Sequence, residues 1–64
     1  MDIAKILKER RLANGIFQHD LAIHCGFTNR ANISKLETGK LEWKWRDVIK
    51  ACELLKLEIV IKEA

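Results

Sequence analysis

QHDLAIHCGFTNRANISKLETG, residues Gln18 to Gly39, reads as two short helices hinged at a glycine. Leu21, Ala22 and Cys25 fall at i, i+1 and i+4, one face of a helix from about Gln18 to Cys25. Ala22 is the informative member of that face. Where two helices cross steeply with a short connection, the contact point admits little more than a methyl group, and a larger side chain would push the second helix away. Gly26 closes the first helix, because a left-handed residue there costs glycine almost nothing. Thr28 and Asn29 offer acceptors to the free N–H groups of a second helix, expected to start at Arg30 with Asn29 as its N-cap. Ile33 and Leu36 turn to the core at i, i+3. Arg30, Asn32 and Lys35, with Ser34 beside them, are left on the outer face.

Outward from this pair, Asp2 is expected to cap a helix whose apolar residues Ile3, Ile6 and Leu7 repeat at i, i+3, i+4. Asn14-Gly15 marks its end. On the other side, Thr38-Gly39-Lys40 is a turn, and Val48, Ile49, Cys52 and Leu55 define an amphipathic helix from Trp45 to about Leu55. Trp45 is read as a core or dimer contact. The period then changes to two. Over residues 56–62, Leu57, Ile59 and Ile61 alternate with Glu58, Val60 and Lys62, which predicts a half-buried strand. A lone strand leaves its backbone groups unpaired, so the expected mate is the same strand of a second subunit.

Sixty-four residues make a single domain, residues 1–64, too short to bury a large core and stabilised by a partner. Twelve basic and nine acidic residues leave a net charge of +3, a modest excess that fits nucleic-acid binding. The bases gather early: Lys5, Lys8, Arg10 and Arg11 in the first helix, then Arg30, Lys35, Lys40, Lys44 and Arg46. The acids Glu53, Glu58 and Glu63 lie late. Cys25 and Cys52 both fall on apolar helix faces without a C-x-x-C neighbour, as buried thiols of a reducing cytoplasm do. His19 and His24 do not share a helix face, so no metal site is expected, and no set of Ser, His and Asp or of Cys and His supports catalysis. No cofactor is expected. No apolar run is long enough for a membrane span, and the protein is expected to be cytoplasmic.

Gln18, Leu21, Ala22, Gly26, Ile33, Ser34, Leu36, Glu37 and Gly39 together resemble the signature of the Xre/Cro family of phage and bacterial transcriptional regulators. The resemblance covers roughly Leu7 to Leu55. It implies an all-α, four-helix, lambda-repressor-like helix-turn-helix domain, with the motif at 18–39 and the second motif helix reading the DNA major groove. It also implies that Arg11 pairs with Glu37, that Gln18 contacts DNA phosphate, and that Lys40 and Lys44 lie where the family reaches the DNA backbone. Three features depart from the family. Phe17 replaces the usual Ser or Thr cap, and no proline stands near Trp43. Six residues separate Gly26 from Ile33, one more than usual. The extra residue is expected in the turn; within the recognition helix it would rotate Arg30 and Asn32 relative to the groove. The C-terminal strand resembles the HipB-type antitoxin branch, whose subunits join such strands.

These readings imply a homodimeric, sequence-specific DNA-binding regulator, a repressor of a palindromic operator, with Arg30, Asn32 and Lys35 reading base edges. Gln18, Ser34, Lys40 and Lys44 would hold phosphates, and Leu57, Ile59 and Ile61 would form the dimer contact. The HipB resemblance adds restraint of a HipA-like kinase toxin. The competing reading is a protein-interaction module that restrains a toxin with weak or no DNA binding.

Overall fold

Asp2 caps the first helix: its carboxylate accepts the backbone N–H of Lys5 at 3.2 Å at the start of α1, Ile3–Ala13. A computed structural model describes residues 2–63, in which three further helices follow: α2, Gln18–Cys25; α3, Ala31–Glu37; and α4, Trp45–Leu55. The domain is all-α. Helix α2 packs on α3 and α4, and α1 packs on the same two.

The hinge follows from its residues. Gly26 is left-handed at φ 84°, and its N–H and that of Phe27 return to the carbonyls of Ile23 and Ala22. Ala22 is buried in the core. Phe17 caps α2 with no side-chain bond. Helix α3 starts at Ala31, one residue later than the sequence predicts, so its N-cap is Arg30, which makes no side-chain cap bond, and not Asn29; Asn29 stands one residue earlier and its side chain accepts the Ala31 N–H at 2.9 Å. Phe27 to Arg30 form the connection, so it holds four of the six residues between Gly26 and Ile33.

Leu7, Leu21, Ala22, Cys25, Ile33, Leu36, Val48, Ala51, Cys52 and Leu55 form one core, with Ile16, Phe27, Trp43, Leu54 and Leu57 packed against it. The apolar stripes expected from the sequence shift at three places. In α1 only Leu7 and Arg11 are buried, while Ile3 and Ile6 stay exposed. In α4 the inner face is centred on Val48, Ala51, Cys52 and Leu55, so Ile49 lies outside. Trp45 is 57% exposed and is not a core residue. Asp47, in the first turn of α4, is buried with its Oδ1 unpaired; Arg46 Nε stands 3.8 Å away, too far for a hydrogen bond. The positive end of α4 favours that carboxylate.

The strand expected over residues 56–62 is not formed among the described residues. A strand exists through its ladder, and one chain here offers its tail no second edge. Lys56 instead reverses the chain in a left-handed conformation at φ 57°, and the Leu57 N–H caps the Cys52 carbonyl at 2.9 Å. The tail then lies beside α1 and α4. Glu58, Ile59 and Val60 share a small cleft of about 240 Å³ with Ile3, Ile6, Trp45 and Val48. Of the three residues assigned to the dimer contact, Leu57 is half-buried on the chain's own core, Ile59 is partly covered, and Ile61 is 83% exposed.

Candidate nucleic-acid interface

The position of α3 is fixed from behind by a buried polar cluster. Arg11 Nε and Nη2 donate to the two Glu37 carboxylate oxygens at 2.6 and 3.1 Å, and Arg11 Nη1 donates to the Ile16 carbonyl at 2.9 Å. Gln18 Nε2 adds a third bond to Glu37, at 2.9 Å. Side-chain exposure is 9% for Arg11 and 2% for Glu37. The paired fork geometry therefore ties the last turn of α1, the start of α2 and the end of α3 to one carboxylate. Desolvating both charges consumes much of their attraction, so the cluster's main effect is to hold orientation.

The front of α3 is built differently. Its last turn is closed by Gly39, left-handed at φ 83°, and by the N–H groups of Lys40 and Leu41, which both bond the Lys35 carbonyl. That return brings Lys40 back beside the helix. Arg30, Ala31, Ser34, Lys35 and Lys40 consequently line one open recess of about 340 Å³ with three cations and no acidic side chain. No neighbouring carboxylate neutralises these charges within the recess, and a surface of this kind attracts a polyanion.

The expected site residues separate into groups. Arg30, Ser34, Lys35 and Lys40 come together in the recess. Asn32 is half-buried and does not line it, while Lys44 is exposed at the N-cap of α4. Gln18 is engaged by Glu37, which leaves the other N–H of its amide for an outside acceptor. Ala31 was not among the expected residues. Its signal in the sequence is its place four residues before Lys35, on the same helical line.

Comparison with protein-family models, with curated proteins and with solved structures finds no match.

Among the described residues, the remaining chemistry-bearing side chains do not gather into a second centre. Burial, reinforced by the Asp47 carboxylate, pushes the Cys25 thiol up to about 11, and burial also raises that of Cys52. A thiol so raised stays protonated at neutral pH and is a poor nucleophile or metal ligand. His24 Nε2 stands 3.6 Å from Glu53 Oε1 at the surface, linking α2 to α4. Among the described residues, no three His, Cys, Asp or Glu side chains gather as a metal site would require, and no helix is long and apolar enough to cross a membrane.

Proposed function

We infer that this chain is a sequence-specific DNA-binding regulator, a repressor, that acts as a homodimer on a palindromic operator. The observation that carries the reading is the acid-free recess on the outer face of α3, held in place by the Arg11–Glu37–Gln18 cluster behind it. An α-helix with its side chains is about 10 to 12 Å across, a width that a major groove of about 12 Å admits, and the seven residues of α3 give about two turns to lie along it. Arg30 and Lys35 stand at the base edges. Ser34, Lys40 and Lys44, with the free N–H of Gln18, hold phosphates on either side. Asn32 sits on the flank of the helix and contributes less than its place in the sequence implies.

Dimerisation supplies what one chain lacks. Leu57 and Ile59 lie beside their own helices, and the tail backbone over 58–62 carries an unpaired edge. Two such tails paired antiparallel complete the strand and hold two α3 helices at half-sites about one helical turn apart. The exposed apolar residues Ile3, Ile6 and Trp45 lie at the same cleft and favour a protein contact there. We assign that contact to the second copy. The resemblance to HipB-type antitoxins further supports a role in which the dimer restrains a HipA-like kinase toxin and represses the shared operon.

Selection from random duplexes followed by gel-shift titration tests the DNA reading. Enrichment of a two-fold symmetric sequence, bound at least a thousand-fold more tightly than unrelated DNA in line with typical specific binders, is the expected result. Equal binding to all duplexes would refute it. Loss of growth arrest when a neighbouring kinase-like gene is co-expressed with this chain tests the antitoxin role.

A further inference from the structure

What α3 buries sets what it shows. Ile33 and Leu36 are buried, and Glu37 is drawn inward by Arg11. At about 3.6 residues per turn the opposite line of the helix runs through Ala31, Lys35 and Thr38, and all three are exposed. Ala31 stands first on that line. Its methyl group sits in the recess among Arg30, Ser34, Lys35 and Lys40, each of which is polar and longer. A longer side chain at this position would fill the recess and keep a base pair away. A methyl can neither donate nor accept a hydrogen bond, so its contribution to recognition must be apolar. The major groove offers one apolar group, the 5-methyl of thymine, and of the four base-pair orientations only those with A and T carry it.

We propose that Ala31 is a base-reading residue, its methyl seated against the 5-methyl of one thymine in each half-site. The proposal rests on the reading of α3 as the DNA-facing helix and adds a specific commitment to it. Arg30 selects its base by bidentate hydrogen bonding to guanine, whereas Ala31 selects by shape and dryness at an adjoining step. Ser34 and Lys40 hold the phosphate backbone close enough for the two methyl groups to meet. Burial of about one methyl group corresponds to a preference of about four-fold in affinity.

The experiment starts from the sequence enriched by duplex selection. Each thymine of that site is replaced in turn by deoxyuridine, which lacks only the 5-methyl, and the full chain is titrated against every duplex. One thymine per half-site is expected to lose about four-fold on replacement with the wild-type chain. Ala31→Gly should bind the thymine and uridine duplexes equally, and Ala31→Ser, which disturbs the helix less than glycine, should also lose the preference. Each comparison is a ratio of two affinities measured on one preparation, so a reduced folded fraction leaves it unchanged. Insensitivity to uridine at every position would overturn the proposal. So would a uridine effect of the same size in both Ala31 variants. A selection that enriches no sequence would instead overturn the DNA reading of α3, and this proposal with it.

Discussion

Replacing Glu37 with alanine should cost this domain a large part of its stability. Glu37 accepts three hydrogen bonds, two from Arg11 and one from Gln18, and its side chain is almost completely buried. Its removal leaves the Arg11 guanidinium with one remaining partner, the Ile16 carbonyl, in a position where water scarcely reaches. An uncompensated buried charge of this kind costs about 3 to 5 kcal/mol. A 64-residue domain has about 3 to 10 kcal/mol in total, so Glu37→Ala is expected to be near the edge of folding. The double variant Arg11→Met, Glu37→Leu removes both charges and keeps similar volume. It should lose far less than the single variant, because the penalty comes from the orphaned charge rather than from the missing bond. Urea unfolding at one fixed protein concentration measures both, the fixed concentration being needed because self-association adds to apparent stability. A single-variant cost below about 1 kcal/mol, the value of a solvated pair, would refute the reasoning. A double variant as unstable as the single one would refute it equally.

Lys40→Ala and Lys44→Ala should each weaken DNA binding without changing the preferred site, and each should reduce the slope of log affinity against log salt by about one; titrations at several salt concentrations check this. Ile61→Lys should leave the helical content unchanged, since the residue is exposed on the single chain, but should shift the sedimentation of the protein toward the monomer. The Cys25 thiol is raised from 9.0 to about 11 in the folded chain, so the unfolded chain releases that proton first as pH rises. Stability from this group is fully present below pH 9 and falls between pH 9 and 11, by up to about 1.4 kcal/mol per pH unit. The stability gap between wild type and Cys25→Ala, followed by urea unfolding across that range, should accordingly narrow.

The hinge was readable in the sequence because its causes are local. Gly26 takes the left-handed conformation expected of it, and Ala22 is buried as its place on the apolar face implies. The Arg11–Glu37 pairing spans 26 positions and came from the family pattern, not from any local signal. What the sequence placed less well depends on how each helix is rolled. The α3 start moved by one residue to Ala31, and Asn32 lies half-buried on its flank while Ala31 stands on the outer line. In α4, periodicity put Ile49 on the apolar face and passed over Ala51, whereas packing buries the smaller Ala51 and leaves Ile49 exposed. The tail is the instructive case. Its alternation is real, yet a ladder needs a second strand edge, and the described residues offer none.

The contact between the ends of α1 and α4 bears on how the purified protein ages. Asn14 Nδ2 donates to the Leu55 carbonyl at 3.0 Å, and the Gly15 N–H is held by the Leu12 carbonyl at 3.1 Å. An Asn-Gly pair loses ammonia when the glycine nitrogen attacks the asparagine side-chain carbonyl, and both participants are engaged here. The reaction must wait for the helix ends to part. Each event converts a donor into a carboxylate facing the Leu55 carbonyl, so the damage, once made, also weakens the contact that had prevented it. The rate at which Asn14 turns acidic, read by isoelectric focusing of stored protein, therefore records how often this corner of the domain opens.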